Sequence, residues 1–157
     1  MNTYYFSVVK SGGTAVERSY LEIFPPAGVS VAVKRIRITD PNTTAATSDS
    51  TLRIRVYRTS TASSSLTTVT PVELRPESPA AVSTCGVMNA VSNVPGTIVE
   101  TVFDTAIILQ GGQFEWLARD YNDVLWSGEN QRLCLTLQLS AVISASPGHC
   151  AEWEFIE

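Results

Sequence analysis

The sequence has very few lysines and a single histidine, and these scarcities narrow the chemistry that the chain can perform. Lys10 and Lys34 are its only lysines and His149 is its only histidine. No serine or cysteine nucleophile motif accompanies that histidine, so we expect a structural or surface role for it. A P-loop and the GxGxxG fingerprint are also missing. We therefore expect no catalytic residues, no cofactor and no enzymatic activity.

The cysteines and acidic residues give little support to a metal site. Cys85, Cys134 and Cys150 have no metal-type spacing, and in a reducing cytoplasm we expect three free thiols. One histidine with scattered cysteines does not supply the ligands of a zinc site. Asp120 and Asp123 flank a turn, where they could hold calcium or simply cap the turn. We favour the cap and expect no metal.

Long apolar runs and a secretion signal are absent as well. No run is long enough to span a bilayer, and MNTYYFSVVKSGG lacks the charged start and apolar centre of a signal peptide. We expect a soluble protein, made in a cytoplasm, that does not contact a membrane. The net charge of −4 gives no electrostatic case for nucleic acid as the main partner.

Serine, threonine and valine are abundant, and apolar residues alternate with polar ones in several segments. The leucines of LCLTLQL occur at every second position, and in EWEFIE, Trp153 and Phe155 alternate with Glu152 and Glu154. Such alternation indicates strands with one face on a core. Eight to ten such segments, separated by turn signals, predict one all-β domain over residues 1–157, an antiparallel β-sandwich that is jelly-roll-like. The expected core residues are Leu52, Ile54, Val56, Leu133, Leu135, Leu137, Trp153 and Phe155.

Positive charge is concentrated between Val29 and Ser60. The segment LRIRVY alternates apolar and basic residues, and KRIRIT does the same after valines that alternate in the opposite phase. The change of phase predicts a β-bulge near Lys34. Six of the eleven basic residues lie here: Lys34, Arg35, Arg37, Arg53, Arg55 and Arg58. We predict a hairpin with a polar loop over Asp40–Ser50 and the charge on one face.

The arginine face has three interpretations: a solvated surface with scattered ion pairs, a subunit or partner interface, or a phosphate-binding surface. Arginine pairs with carboxylates in a fixed two-pronged geometry, which suits an interface. Nucleic acid is the least favoured, because the face lacks the aromatic platforms of single-strand binders. We predict that Arg37, Arg53 and Arg55 meet acidic groups, either Glu152 and Glu154 or those of a neighbouring subunit.

A proline-dense segment, TVTPVELRPESPAAVST, follows a Ser/Thr-rich stretch over Thr59–Thr68 that we expect to be an exposed loop. Prolines at this density exclude a central strand and a long helix. We predict an extended strap over about residues 70–80, unpaired within a sheet, which crosses the sandwich edge or lies between subunits. Its apolar residues Val72 and Leu74 are candidate contacts, and the N-terminal strand is a second candidate arm.

Three segments together resemble a known family: KRIRIT with its loop and following strand, TVTPVELRPESPAA, and the terminal EWEFIE. They are similar in layout to the small β-sandwich proteins that decorate or cement the capsids of tailed bacteriophages, from about Val29 to Glu157. The resemblance implies a non-catalytic virion protein on the capsid exterior, bound to the major capsid protein. It also implies assembly in the host cytoplasm and a homotrimer at a symmetry axis.

The alternative is a receptor- or carbohydrate-binding module of a phage or bacterial surface assembly, built on the same fold. Sugar sites commonly use exposed aromatic residues in a line. Trp116, Trp126 and Trp153 are the candidates, although their strand positions favour the core for Trp116 and Trp153.

Overall fold

The chain folds into β-strands joined by turns and loops. The computed structural model describes residues 2–10, 16–39, 51–75, 77, 79–89, 93–108, 113–140 and 149–157, and these contain twelve strands and no helix. The strands are β1 (Thr3–Lys10), β2 (Arg18–Phe24), β3 (Val31–Thr39), β4 (Thr51–Thr59), β5 (Leu66–Val69), β6 (Val72–Glu73), β7 (Thr84–Met88), β8 (Ile98–Ile108), β9 (Gln113–Leu117), β10 (Leu125–Ser127), β11 (Arg132–Leu139) and β12 (His149–Ile156). Over the same ranges, no helix is present that could cross a membrane.

The strands form two antiparallel sheets packed against each other, which confirms the predicted β-sandwich. The first sheet has the order β10-β3-β12-β1-β6, with β9 also paired to β3, and the second has the order β5-β7-β2-β11-β4-β8. Within them, β1-β12-β3-β9 lies against β2-β11-β4-β8, which is the jelly-roll-like arrangement of eight strands in two four-stranded layers. The remaining strands, β5, β6, β7 and β10, extend these layers at their edges.

The core lies between the sheets and contains all eight of the predicted residues, each at most 3% exposed. Aromatic side chains of neighbouring strands meet there. The ring of Tyr4 stacks on Phe155 at 5.3 Å, and Phe6 packs edge-on against Trp153 at 6.1 Å. Because burying one large apolar side chain contributes about 1.5–3 kcal/mol, this layer accounts for most of the cohesion between the sheets.

The bulge predicted near Lys34 is confirmed. Glu154 pairs with Arg35 and the next residue, Phe155, pairs with Val33, so that Lys34 is the extra residue on β3. The bulge explains why the valines and isoleucines of β3 all face the core although their alternation changes phase. It also leaves Lys34 and Arg35 together on the outer side.

The predicted hairpin between β3 and β4 is wrong. β3 belongs to the first sheet, where it pairs with β12, β9 and β10, whereas β4 pairs with β11 and β8 in the second sheet. The loop predicted over Asp40–Ser50 lies outside the described residues. Two alternating strands that follow each other in sequence can pair directly or lie on opposite sides of a core, and the alternation is the same in both cases.

At the sheet edges, the structure differs from the sequence analysis in three places. The Ser/Thr-rich stretch is not wholly a loop, because β5 forms within it and pairs with β7. β10 was not predicted from the sequence. The strap does pair within a sheet, since Val72 and Glu73 lie opposite Tyr5 and Tyr4 of β1. The pairing lasts only two residues at the sheet edge, which is where a strand flanked by proline is tolerated.

Candidate functional site

The outer face of the first sheet carries a ladder of ion pairs between β3 and β12. The register places Arg35 opposite Glu154 and Arg37 opposite Glu152, as predicted for this last strand. The closest nitrogen–oxygen distances are 3.2 Å for Arg35 with Glu154 and 3.7 Å for Arg37 with Glu152. Alternation on two neighbouring strands therefore puts opposite charges on one face, where cross-strand pairs stabilise the sheet.

The ladder continues onto both neighbouring strands. Toward β9, Arg35 lies 3.9 Å from Glu115, and toward β1 the Tyr5 hydroxyl donates to Glu152 at 3.3 Å. Among the side chains that the structure describes, the ladder thus holds three cations, Lys34, Arg35 and Arg37, and three carboxylates, Glu115, Glu152 and Glu154. Their formal charges cancel, so this face has little excess charge with which to attract phosphates.

The arginines of β4 lie on the other side of the sandwich. Arg53 donates two hydrogen bonds to Asp104 of β8, at 2.9 and 2.6 Å, and Arg55 contacts Glu17 at 2.8 Å and Asp104 at 3.5 Å. The hydrogen bonds from Arg53 lower the pKa of Asp104. The predicted single row of Arg37, Arg53 and Arg55 is therefore wrong, because Arg37 belongs to the opposite sheet.

Glu17 is an anchor that sequence reasoning missed. Its Oε1 atom accepts hydrogen bonds from Arg55 at 2.8 Å, from the Tyr57 hydroxyl at 2.9 Å and from the Thr136 hydroxyl at 2.6 Å. Burial, with Glu17 as the next cause, raises the pKa of Tyr57. Nothing in the sequence near Glu17 indicates this role, because all three partners come from strands that are distant along the chain.

The strap is held firmly on its inner side. The Leu74 amide donates to the Thr3 carbonyl at 3.0 Å, and the Tyr4 hydroxyl donates to the Pro79 carbonyl at 2.8 Å. Near its end, the backbone amides of residues 82 and 83 each donate to the Glu157 carboxylate at 2.9 Å. These contacts tie the segment between β6 and β7 to the first and last residues of the described chain.

The same segment presents apolar side chains outward. Val72 is 59% exposed, Leu74 is 49% exposed and Val82 is 65% exposed. Val72 sits beside Tyr5, Leu74 beside Thr3, and Val82 beside Glu157, which itself bonds reciprocally with Asn2. We call Val72, Leu74 and Val82 the strap surface. Single exposed apolar residues are ordinary, but these three belong to one segment whose backbone is already held by hydrogen bonds, so a partner can cover them without ordering the segment first.

The histidine and the cysteines lie mainly in the interior. His149 is 1% exposed, with its ring centroid 6.3 Å from that of Tyr20. All three cysteines are free thiols, as predicted. Burial raises the pKa of Cys85 and of Cys134 to about 12, so neither thiol is an available nucleophile at neutral pH. The described ranges contain no group of three or more His, Cys, Asp or Glu residues that could hold a metal ion.

The three tryptophans do not form an exposed line. Trp153 is fully buried, and Trp116 is half-buried with its ring 5.7 Å from Phe103. Trp126 is also half-buried and packs edge-on against Tyr121 at 5.0 Å. These residues therefore do not form the exposed aromatic line that sugar sites commonly use.

No protein-family model matches this chain, and no curated protein or solved structure matches it.

Proposed function

We propose that this protein is a non-catalytic structural component of a bacteriophage particle, where it binds the exterior of the capsid and decorates or cements it. The strap surface is the observation that carries the proposal. Its backbone is hydrogen-bonded to β1 and to Glu157, while Val72, Leu74 and Val82 face outward. An apolar surface on a rigid edge is suited to burial against another protein.

The charges around the strap surface fit the anatomy of a protein interface. Arg75 and Glu77 follow Leu74 in the chain and are exposed, whereas Glu73 lies opposite the buried Tyr4. Protein interfaces commonly have an apolar centre with a charged rim that fixes orientation. The self-neutralised ladder of the first sheet also favours a protein partner over nucleic acid. In this proposal the partner is the major capsid protein.

The fold agrees with this proposal by analogy. Jelly-roll sandwiches occur among viral capsid proteins and lectins, and a fold of this kind does not determine a function without a site. The sequence resemblance to capsid decoration proteins selects the first of these classes. We further propose that the protein assembles in the host cytoplasm and sits on the virion as a homotrimer, with the strap or the N-terminal strand at its contacts.

Capsid co-sedimentation tests the role of the strap surface. Phage heads that lack this protein are mixed with the wild type or with the double variant Val72→Ser, Leu74→Ser. We expect the variant to lose binding by at least about tenfold, which corresponds to about 1.4 kcal/mol and is modest for two interface anchors. Its thermal melt should match that of the wild type, because both side chains are largely exposed.

A matched control separates the strap surface from exposed apolar residues in general. Ile98 and Val99 are 45% and 69% exposed on β8, in the other sheet. The variant Ile98→Ser, Val99→Ser should bind heads as the wild type does. Wild-type protein that stays in the supernatant would refute capsid binding, and equal binding by all three proteins would refute the strap as the contact. Sedimentation velocity on the same samples measures whether a trimer forms in solution.

A further inference from the structure

A cavity of about 280 Å³ opens on the outer face of the second sheet. β2, β5, β7 and β11 form its floor and walls, together with the segment that leads into β5. Its lining includes the charged residues Glu22 and Arg132, the hydroxyl residues Ser63, Thr68 and Thr84, and the apolar residue Leu66. The volume is near the lower end of the roughly 300–1,000 Å³ that is typical of small-molecule sites.

Glu22 is a buried carboxylate in the wall of this cavity, only 3% exposed. Its Oε2 atom accepts hydrogen bonds from the Ser63 amide at 2.9 Å and from the Ser63 hydroxyl at 2.6 Å, and its Oε1 atom accepts one from Arg132 at 2.8 Å. A carboxylate offers about four lone-pair positions. The contacts described here fill both positions of Oε2 and one of Oε1.

Arg132 is fixed in place as a donor. Its guanidinium carbon lies 4.0 Å from the centroid of the Phe24 ring, a cation–π contact that helps to hold the group in place. One of its five N–H groups bonds Glu22. The side chain is 23% exposed and lines the cavity. The site thus combines a rigid donor and a rigid acceptor side by side.

Gly86, which pairs with Glu22 across β7 and β2, shapes the wall on the side of Glu22 that is away from Arg132. A Cβ atom at this position would lie 3.1 Å from Cδ1 of Leu66, which is tighter than ordinary contact. Glycine lets Leu66 rest close to β7 and form an apolar patch next to the hydroxyl groups of Thr68 and Thr84. The cavity therefore has one apolar side and several polar ones.

We infer that this cavity is a binding site for a single neutral sugar ring or a polyol of similar size. The charges of Glu22 and Arg132 cancel, so neither an anion nor a cation is favoured over a neutral ligand. Sugar hydroxyls both donate and accept, which matches an acceptor on Glu22, donors on Arg132 and threonine hydroxyls that do either. The C–H face of a sugar ring suits the Leu66 side. This inference is independent of the proposed capsid role and of the strap surface.

Nuclear magnetic resonance of the protein tests the inference. The isotope-labelled protein is titrated with glucose, galactose, mannose, N-acetylglucosamine and glycerol, and separately with sodium acetate and guanidinium chloride. A ligand that makes a few hydrogen bonds in an open site is expected to bind with a Kd on the order of 1 mM or weaker. We expect at least one neutral compound to shift amide signals of residues 62–68 and 84–86 in a saturable manner.

Two variants and a matched control locate the binding. Thr84→Val removes one hydroxyl from an exposed position with little change of shape, and Glu22→Gln changes the acceptor while it retains an oxygen for Ser63. Each should weaken binding at least about fivefold. Thr101→Val, at an exposed position on β8 of the same sheet, should leave it unchanged. The inference is overturned if no neutral compound shifts these signals, if acetate or guanidinium binds more tightly, or if Thr84→Val binds as the wild type does.

Discussion

At the scale of the residue, single carboxylates organise the outer faces of the sandwich. Glu17 accepts hydrogen bonds from a guanidinium and two hydroxyls of β4 and β11, and Glu22 of β2 accepts them from Ser63, outside the strands, and from Arg132 of β11. Hydrogen bonds to a charged group are shorter and stronger than those between neutral groups. These acidic side chains therefore fix the positions of loops and strands that have no apolar reason to meet.

The variant Glu17→Ala measures this anchoring. It leaves Arg55, Tyr57 and Thr136 without a shared acceptor, and the Arg55 side chain is only 13% exposed. We expect the free energy of unfolding to fall by about 1.5–3 kcal/mol, the usual contribution of hydrogen bonds to a charged group. Chemical denaturation at neutral pH measures the change. The matched variant Glu77→Ala, at an exposed position, should change it by less than about 0.5 kcal/mol, and an equal loss in both would contradict the anchor.

At the scale of the element, two segments outside the strands form a pad on the second sheet. Residues 60–64 and 93–97 are joined by backbone bonds, from the Ser60 amide to the Thr97 carbonyl at 2.9 Å and from the Ser64 amide to the Val94 carbonyl at 3.0 Å. The pad includes Ser63, which touches both Glu22 and the buried Cys134. It explains why polar residues on the outer face of β2 and β11 are buried.

Gly96 is the point at which the two segments touch. A Cβ atom there would lie 2.0 Å from the Thr61 carbonyl oxygen, so any other residue forces the backbones apart. We expect Gly96→Ala to lower the melting temperature and to raise hydrogen exchange at residues 60–64, because the bonds between the segments are lost. Gly28→Ala is a contrasting variant: its added Cβ meets nothing within 4 Å, but its φ of 80° is strained for alanine. It should destabilise without changing exchange in the pad, and unchanged exchange in Gly96→Ala would contradict the close contact.

At the scale of the whole molecule, two buried cysteine thiols and one buried tyrosine hydroxyl make the folded protein less stable at alkaline pH. Burial raises the pKa of Cys85 and of Cys134 from 9.0 to about 12, and that of Tyr20 from 10.0 to about 12. Below pH 9 these groups are protonated in both the folded and the unfolded chain, so they add no pH dependence. Above it the unfolded chain releases protons that the folded chain retains, and this lowers stability.

We therefore expect the free energy of unfolding to fall progressively from pH 9 to about pH 12, by up to about 1.4 kcal/mol per pH unit for each group. Urea denaturation at a series of pH values measures the slope. The double variant Cys85→Ala, Cys134→Ala should be less stable at pH 8 yet have a shallower slope above pH 9. Tyr121→Phe, at an exposed position, should keep the wild-type slope, and a flat profile for the wild type would contradict burial of these protons.

The sequence alone determined the strands with strict alternation and the side of each that faces the core. Leu133, Leu135, Trp153 and Phe155 were predicted as core because a strand can bury only one face, and the bulge at Lys34 followed from a change of phase. The same alternation places Arg37 and Glu152 on outward positions, so their pairing could be predicted from the sequence. The sequence also shows that its single histidine, His149, is accompanied by no serine or cysteine nucleophile motif.

The tertiary structure decided which strands are neighbours and what covers each outer face. Alternation does not show whether β3 and β4 pair or lie in opposite sheets, so the position of Arg37 relative to Arg53 could not be deduced. The cavity beside Glu22 and the anchor at Glu17 combine residues that are far apart in sequence. They depend on long-range pairing, which satisfies buried polar groups only after the chain has folded.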